Sequence, residues 1–568
     1  MSVEPDNFRA VTQLQSSDTT RASSTVRVRP DCITRHDIIE AADMRQKRKR
    51  GGAVNTLYVL VGGAVLVLAA LGTLLFDMSN PATISSDSRV TLYCAAGLRT
   101  PVEKIAADYE REYGVSVQIQ FGGSNTLLSQ IDVARVGDLY LAADEVYIER
   151  GREKGLVAEV FPVAVQHPVI AVAPGNPKNI RGIDDLLRDD VKTAIGNPDQ
   201  AAVGKIARML LEKSGHWKQL EEHVTDTGVF KPTVPEIAND VKIRSIDAGI
   251  VWDTTVAAYS GIEAVRAPEL DAGTAHVTLG VLNSSTRPTA ALRFARYLAA
   301  SDRGLVRFKE AGFTPVDGDK WAEVPKLTFF CGAVNRRAVE SVVQEFQERE
   351  GVSVTTSYDG CGILVGQMRI LRDQQQASGF PDTYMACDVY YLKAVEDWFQ
   401  DAVNVSDTEV VIAVPKGNPK NIRSLKDLTK PGMRVLVGQS EQCTIGVLTR
   451  QLLESEGLYD AVMENVVAQM PTSATLVPNV TTGNADAALA YATDTLAERD
   501  KLDVIRVDSS AAQAVQPFSI ARSSENKQLS KRLFKAIADS RERFESAGFH
   551  WRLDQPDAEP ADDHDSRE

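Results

Sequence analysis

The sequence lacks the short motifs that mark the most common catalytic sites. It contains no G-x-x-x-x-G-K-[ST] loop for a nucleoside triphosphate and no H-E-x-x-H pair for a catalytic zinc ion. It also contains no recognisable Ser-His-Asp arrangement for nucleophilic catalysis. These absences exclude ATP hydrolysis by the chain itself and argue against hydrolase chemistry, so we expect that the protein is not an enzyme.

Positive charge is scarce relative to negative charge. The 568 residues include 63 Lys and Arg against 77 Asp and Glu, which gives a formal net charge of −14. A chain of this sign repels a polyanion, so nucleic acid is not expected as a partner. Metal-binding spacing is also missing, because there is no C-x-x-C pair and His167 and His216 are isolated. We therefore expect no cofactor.

Charged residues are absent from the segment 53–76, and the basic stretch 45–50 directly precedes it. A helix of this length spans a bilayer. By the positive-inside rule, we expect a disordered basic tail at 1–52 in the cytoplasm, one uncleaved transmembrane helix at 53–76 in the cytoplasmic membrane, and the remainder in the periplasm. We expect a linker at 77–88 and an acidic disordered tail at 555–568.

A whole domain is repeated in the chain. The heptapeptide Gly-Asn-Pro-Lys-Asn-Ile-Arg occurs at Gly175–Arg181 and again at Gly417–Arg423, 242 positions later. Cys331 follows Cys94 by 237 positions, and the sequence Gly-Val-Ser-Val recurs at the same offset. A period this long corresponds to a domain and not to a solenoid unit.

The pattern within each copy is typical of an α/β domain. Short apolar runs alternate with helix-like segments, which indicates largely parallel sheets. We place the copies at 89–322 and 323–554, with a loop insertion in the second copy around 374–379. Because about 230 residues is large for a single core, we expect two lobes in each copy.

Five segments of the first copy point to a known family. They are Tyr93-Cys-Ala-Ala-Gly-Leu98, Phe121-Gly-Gly-Ser-Asn-Thr-Leu127, Asp138-Leu-Tyr-Leu-Ala-Ala-Asp144, Gly196-Asn-Pro-Asp199 with Gly204, and Gly249-Ile-Val-Trp252. With these segments in this order, the chain resembles the periplasmic molybdate-binding proteins that serve ABC transporters. The resemblance extends from Val90 to about Gly318 and, more weakly, from Leu327 to Trp551.

The resemblance implies two tandem type II periplasmic binding domains after the transmembrane helix. In that architecture, two α/β lobes joined by two crossing strands close on a ligand. The crossings would be near Val169–Ala173 and Val277–Val281 in the first copy, and near Val410–Val414 and Ala514–Ile520 in the second. The implied ligand is an oxyanion such as molybdate or tungstate, and the implied partner is an ABC transporter permease.

The resemblance also implies a ligand shell in the first copy. A desolvated dianion needs uncharged donors, which helix N-termini, small hydroxyl residues and close glycine backbone supply. The implied ligand-binding residues are Gly97, Ser124 with Asn125 in the same motif, Val203, Val234 and Trp252. The family has a serine in place of Gly97 and a tyrosine in place of Trp252. Asp253 would repel an anion if its carboxylate faced the cleft.

The corresponding positions in the second copy are Val334, Cys361, Ile445, Ser473 and Tyr491. Here the tyrosine of the family is present, but its second serine has become a cysteine. Each copy therefore matches a different part of the oxyanion shell.

Four of the six cysteines fall in the second copy: Cys331, Cys361, Cys387 and Cys443. The sequence leaves three interpretations open: buried apolar side chains, a disulfide that joins Cys361 to Cys443 or Cys331 to Cys361, and a soft-metal site. The third interpretation supports a second functional hypothesis, a ligand or soft-metal sensor or scaffold with a cysteine-lined second domain.

Two further features have structural explanations. Asp144 and Asp388 follow apolar runs, where an aspartate usually caps the next helix. The repeated heptapeptide is typical of a turn after a strand.

Overall fold

The computed structural model describes residues 89–374 and 379–554. The predicted tail, transmembrane helix and linker before residue 89 lie outside the described residues, as does the predicted tail 555–568. Within the described part of the chain, no helix is long and apolar enough to cross a membrane.

Strands and helices alternate along the first copy. The strands are β1 (Arg89–Ala95), β2 (Ser116–Gly122), β3 (Leu139–Ala142), β4 (Val157–Gln166), β5 (Pro168–Val172), β6 (Thr193–Gly196), β7 (Val229–Lys231), β8 (Ala248–Trp252), β9 (Glu263–Val265), β10 (Ala275–Leu282) and β11 (Thr314–Pro315). The α-helices are α1 (Arg99–Tyr113), α2 (Ser124–Ala134), α3 (Val146–Glu153), α4 (Ala202–Ser214), α5 (Trp217–Thr227), α6 (Val234–Lys242), α7 (Asp253–Ala258), α8 (Pro268–Asp271), α9 (Pro288–Leu298) and α10 (Gly304–Glu310).

The first copy folds into two lobes, each built on one sheet. The first lobe has six strands in the order β11-β4-β10-β3-β1-β2, and the second has five in the order β7-β6-β8-β5-β9. β1 is parallel to β2 and β3, whereas β10 is antiparallel to β3 and β4. The sheets are therefore mixed, and the prediction of largely parallel sheets was wrong, because the strands that cross between the lobes pair antiparallel with their neighbours.

The second copy repeats this alternation. Its strands are β12 (Lys326–Gly332), β13 (Ser353–Asp359), β14 (Thr383–Met385), β15 (Phe399–Pro415), β16 (Val435–Gly438), β17 (Val466–Met470), β18 (Ala487–Tyr491), β19 (Leu502–Arg506), β20 (Gln513–Ala521) and β21 (His550–Trp551). Its α-helices are α11 (Arg336–Glu350), α12 (Cys361–Asp373), α13 (Val389–Lys393), α14 (Thr444–Ser455), α15 (Tyr459–Met463), α16 (Leu476–Thr481), α17 (Ala492–Thr495), α18 (Lys527–Ala538) and α19 (Arg541–Ser546).

The strand order of the second copy matches that of the first. β13-β12-β14-β20-β15-β21 corresponds to the first-lobe sheet, and β17-β16-β18-β15-β19 corresponds to the second-lobe sheet. The apolar cores are separate, one containing Val90 to Phe313 and the other Leu327 to Trp551. The expected duplication of a two-lobed α/β domain is therefore present in the structure.

The two copies differ at the first crossing between lobes. In the second copy, β15 is continuous and pairs with strands of both sheets. In the first copy, the same path is divided at His167 into β4 and β5. The predicted segment Val169–Ala173 therefore lies just beyond the crossing, and Val277–Val281 lies in β10, after the chain has returned to the first lobe.

The repeated heptapeptide forms the same turn in both copies. Asn176 and Asn418 have φ values of 46° and 44°, in the left-handed region that asparagine tolerates. The Asn176 side chain accepts a hydrogen bond from the Ile180 backbone N–H at 2.9 Å and donates to its carbonyl at 2.7 Å. Asn418 makes the same pair of bonds with Ile422. The prediction of a turn is confirmed.

A buried ion cluster joins the two copies. The Glu350 carboxylate, at the end of α11 in the second copy, accepts hydrogen bonds from Arg296 of α9 in the first copy and from Arg532 of α18, at 2.9 and 2.6 Å. The three side chains are between 2% and 8% exposed. The Arg532 guanidinium also lies 4.1 Å from the ring centre of Phe161 in the first copy. The Arg532–Glu350 pair lies within the second copy, whereas Arg296 has this acceptor only while the copies stay packed together.

Candidate functional site

The cleft of the first copy is closed. Asn125 in the first lobe donates from its backbone N–H to the Gln200 carbonyl of the second lobe at 3.2 Å, and from its side chain to the Asp199 carbonyl at 2.7 Å. A Cβ added to Gly123 would lie 2.5 Å from the Gln200 oxygen and 2.8 Å from the Pro232 oxygen. Glycine at position 123 is therefore what allows this close approach of the lobes.

The cleft of the second copy is closed in the same way. A Cβ added to Gly360 would lie 2.5 Å from the Gln442 carbonyl oxygen and 2.8 Å from that of Pro471. The Ile363 backbone N–H donates to the same Gln442 oxygen at 3.3 Å. Both copies thus use a glycine before a helix as the contact point between lobes.

Ser124 is oriented as a hydrogen-bond donor. It is the first residue of α2 and is 2% exposed. Its Oγ accepts a hydrogen bond from the Ala143 backbone N–H at 3.2 Å, and its carbonyl accepts one from the Tyr140 hydroxyl at 2.7 Å. A hydroxyl has one proton to donate as well as lone pairs that accept. Oγ accepts from Ala143, and the hydroxyl keeps one proton that it can donate to a ligand in the cleft.

Val203 and Val234 place helix N-termini, and no polar side chain, at the cleft. Both are buried, Val203 as the second residue of α4 and Val234 as the first residue of α6. The residues just before these helices approach Gly123, which precedes α2. Three helix N-termini therefore converge on the cleft. Their first-turn N–H groups have no partner within the helix and carry the positive end of its dipole.

Gly97 and Trp252 are neighbours across the cleft. Trp252 ends β8 and is 1% exposed. A Cβ added to Gly97 would lie 3.8 Å from the indole Cδ1. Trp252, which is larger than the family's tyrosine, thus packs against Gly97, which is smaller than the family's serine. The two departures from the family pattern occupy one shared space, so a single change in packing explains both.

The Asp253 carboxylate is used at the hinge. One oxygen accepts from the His167 backbone N–H at 3.0 Å and from the Thr254 N–H at 2.8 Å, and the other lies 3.3 Å from the His167 ring. These contacts hold the charge at the crossing between lobes. Asp388 is the N-cap of α13 and accepts from the Tyr390 N–H, so the helix-capping interpretation is confirmed for this residue. Asp144 accepts from the Val146 N–H, but it lies one residue before the N-cap of α3, Glu145.

The predicted shell of the second copy is also brought together. Cys361 and Ile445 occupy the first turns of α12 and α14, and Ser473 begins a 3-10 helix, Ser473–Thr475. Val334 lies in the turn after β12 and is 4% exposed. Tyr491 ends β18, and its buried hydroxyl has no hydrogen-bond partner within the described residues. An unpaired buried hydroxyl is costly, and a polar ligand would satisfy it.

A buried carboxyl beside Ser473 was not anticipated. Burial raises the pKa of Asp494 to about 6, although a hydrogen bond with Ser473 and the charge of Arg337 act in the opposite direction. The aligned residue of the first copy is Thr255. An ionised carboxylate opposes anion binding, so the two clefts differ in charge as well as in donors.

The four cysteines of the second copy are buried free thiols. Neither candidate disulfide, Cys361 with Cys443 or Cys331 with Cys361, is formed. The two sulfur atoms that come together are instead those of Cys361 and Cys387, at 2.7 Å. Across residues 89–374 and 379–554, no group of three or more His, Cys, Asp or Glu side chains has the geometry of a metal site.

Sequence reasoning also missed a glutamine anchor in each hinge. The Gln166 amide donates to the Ala143 carbonyl at 3.0 Å, and the Gln516 amide donates to the Cys387 carbonyl at 3.1 Å. Gln166 lies on β4, whereas Gln516 lies on β20, which corresponds to β10 in the first copy. The first copy makes this contact from the strand that leaves the first lobe, and the second copy makes it from the strand that returns. The two glutamines are therefore not aligned when the copies are compared.

Curated proteins and solved structures resemble single copies of the domain. A binding protein of Haemophilus influenzae is 30% identical over 227 residues, which is 39% of this chain and 90% of that protein. The molybdate-binding protein ModA of Escherichia coli is 24% identical over 263 residues, 45% of this chain and 96% of that protein. The periplasmic molybdate-binding protein of Azotobacter vinelandii, a solved structure, is 16% identical and covers 40% of this chain and 98% of its own, with a TM-score of 0.35.

One family model matches the chain twice, at residues 90–314 and 327–550. The family is described as bacterial extracellular solute-binding proteins. The two matches fall within the predicted segments 89–322 and 323–554. The chain belongs to the bacterial extracellular solute-binding protein family, and it contains two tandem copies of the family's domain.

Proposed function

We propose that the protein captures a tetrahedral oxyanion, molybdate or tungstate, in the cleft of its first copy and presents it to an ABC transporter permease. The observation that carries the proposal is the position of Ser124. Its hydroxyl, which has a proton to donate, lies where three helix N-termini converge from both lobes.

The chemistry of this cleft suits a dianion. Backbone N–H groups and a hydroxyl donate hydrogen bonds without a counter-charge, and bonds to a charged acceptor are stronger than neutral ones. The carboxylate of Asp253, which the sequence raised as an obstacle, accepts hydrogen bonds from the His167 and Thr254 N–H groups at the hinge. Relatives that are named molybdate-binding proteins support the same ligand class.

Lobe closure would transmit the bound state to the transporter. A ligand that contacts donors from both lobes binds the closed form better than the open form and so shifts the population toward it. The closed form brings α2 of one lobe against α4 and α6 of the other. A permease that recognises this closed surface would receive only loaded protein.

Replacing Ser124 by alanine is expected to weaken molybdate binding by roughly tenfold to a hundredfold. The variant removes one hydrogen bond to a charged ligand, worth about 1.5–3 kcal/mol. Calorimetric titration of the full chain with molybdate measures the change. The matched control is Ser129→Ala, which removes an exposed hydroxyl from the same helix. Equal affinities for the two variants would remove Ser124 from the site.

We also propose that residues 53–76 anchor the protein in the cytoplasmic membrane, with both copies in the periplasm. The uncharged run and its basic N-terminal flank support this topology. The full chain is expected to remain in the membrane pellet after alkaline carbonate extraction, and a variant without residues 1–76 is expected in the supernatant. Recovery of the full chain in the supernatant would contradict the anchor.

A further inference from the structure

The cysteine that aligns with Ser124 keeps the contact of that serine. Cys361 is the first residue of α12, as Ser124 is of α2. Its Sγ accepts a hydrogen bond from the Cys387 backbone N–H at 3.0 Å, whereas Ser124 Oγ accepts one from the Ala143 N–H at 3.2 Å. The second copy therefore places sulfur where the first copy places a hydroxyl oxygen.

A second sulfur is added at this point. The residue that aligns with Ala143 is Cys387, and its Sγ lies 2.7 Å from the Cys361 Sγ. Gly332 packs directly against both atoms: a Cβ added there would lie 2.3 Å from the Cys387 sulfur and 2.9 Å from the Cys361 sulfur. The sulfur atoms are thus held together on one side, and no side chain lies between them.

We propose that Cys361 and Cys387 form a reversible dithiol–disulfide pair at the base of the second cleft. The proximity of the two sulfur atoms and their confinement against Gly332 support the pair. Cys443, the alternative partner suggested by the sequence, caps α14 in the other lobe, and its Sγ faces the carbonyls of Gln439 and Met470.

The oxidant would be a disulfide, either a small molecule or an extracytoplasmic thiol oxidoreductase. The Cys361 thiolate attacks one sulfur of the oxidant's S–S bond, forms a mixed disulfide and releases the other sulfur as a thiolate. The Cys387 thiolate then attacks the Cys361 sulfur and releases the second thiolate. Two thiols are oxidised, one disulfide is reduced, and the two protons pass to the released thiolates.

Cys361 is the better nucleophile of the pair. Burial acts to raise the pKa of its thiol, but hydrogen bonding, chiefly with Cys387, outweighs burial and lowers the pKa below its usual value. Its position at the N-terminus of a long helix favours the thiolate in the same direction. Burial, with a smaller contribution from neighbouring Cys361, raises the pKa of the Cys331 thiol well above its usual value, although a hydrogen bond with Asn335 opposes the shift. Cys331 is therefore a suitable inert control.

Access to the pair depends on lobe opening. Cys361 and Cys387 are 0% and 4% exposed. Both belong to the first lobe of the second copy, next to β13 and β14, and the second lobe covers them where Gly360 meets Gln442. An oxidant therefore reaches them in the open form, and the disulfide constrains only one lobe, so the domain can still close.

The pair would control ligand capture by the second copy, a consequence that rests on the proposed function. In the dithiol form, a thiol occupies the place of the donor hydroxyl of the first copy. The disulfide has no S–H to donate. Oxidation is therefore expected to weaken capture in the second cleft and leave the first cleft, with Ser124, unchanged.

The test maps thiols and requires no ligand. The full chain is equilibrated with mixtures of oxidised and reduced glutathione, quenched in acid, and unfolded in urea with N-ethylmaleimide before peptide mass spectrometry. We expect Cys361 and Cys387 to lose labelling together and to appear as one cross-linked peptide pair, lighter by two hydrogens. Dithiothreitol is expected to restore labelling at both positions.

Matched variants keep the outcome interpretable. Cys361→Ser with Cys387→Ala recreates the arrangement of the first copy and is expected to abolish the cross-linked peptides, whereas Cys331→Ser is expected to leave them in place. Full labelling of both cysteines in the most oxidising mixture, or a cross-link of Cys361 to Cys443, would overturn the proposal. Because no anion is added, both of these outcomes can be distinguished from a failure of molybdate to bind at Ser124.

Discussion

Replacing Glu350 by alanine is expected to lower the free energy of unfolding by about 3–5 kcal/mol, because the change leaves buried charges without a partner. Arg296 of the first copy and Arg532 of the second both donate to the Glu350 carboxylate. Without it, two nearly buried guanidinium groups lose their carboxylate partner, and Arg296 keeps only the Glu350 backbone carbonyl as an acceptor there. Thermal and urea denaturation of the full chain measure the loss, and we expect the two copies to unfold in separate transitions.

Two controls separate this effect from a simple loss of surface charge. Glu340→Ala removes a carboxylate from the same helix, where it pairs with Arg336 at an exposed site, so a loss below about 1 kcal/mol is expected. Replacing Arg296, Glu350 and Arg532 together by Met, Leu and Met is expected to recover most of the stability, since no buried charge remains. A loss from Glu350→Ala no greater than that from Glu340→Ala would contradict the role of this cluster.

Replacing Gly123 by alanine is expected to hold the first cleft open and to weaken molybdate binding by roughly tenfold to a hundredfold. The new Cβ would meet the Gln200 carbonyl oxygen at 2.5 Å, and overpacking of this kind costs about 1–3 kcal/mol. Closure can be followed without ligand by hydrogen exchange, because the Asn125 N–H bonds to Gln200 only across the closed cleft. We expect faster exchange at Asn125.

The second copy supplies an internal control for this experiment. In Gly123→Ala, exchange at Ile363, which makes the equivalent contact in the second cleft, is expected to stay unchanged. Gly360→Ala is expected to reverse the pattern: exchange becomes faster at Ile363, and the exchange rate at Asn125 does not change. Gly182→Ala places its Cβ in open space and should alter neither. Unchanged exchange and affinity in Gly123→Ala would show that the lobes close elsewhere.

Much of the fold could be predicted because its signals are local. Gly114 and Gly351 end α1 and α11 with φ values of 68° and 65°, as glycine does at helix C-termini. The heptapeptide turn depends on contacts within five residues. Matching segments recur at a nearly constant offset, which predicts that the two copies share one strand order. The sheets of both copies confirm this prediction.

Only part of the candidate site could be predicted. The helix N-termini at Ser124 and Val234 follow from motifs, and the ligand-binding role of these residues stays a prediction. The disulfide pairs suggested by the sequence were wrong, since the Cys361 sulfur meets that of Cys387. The first-copy residues that align with these cysteines, Ser124 and Ala143, are also hydrogen bonded to each other. No rule of sequence spacing indicates this contact.

The sequence by itself determined the duplication, the α/β alternation and the turns, because each depends on apolar periodicity or on residues a few positions apart. The tertiary structure decided which groups meet: Gly123 with Gln200 across the cleft, and Glu350 with Arg296 between copies. These contacts join residues dozens of positions apart. They exist only when lobes and copies pack, because close packing and burial, not local preference, select the partners.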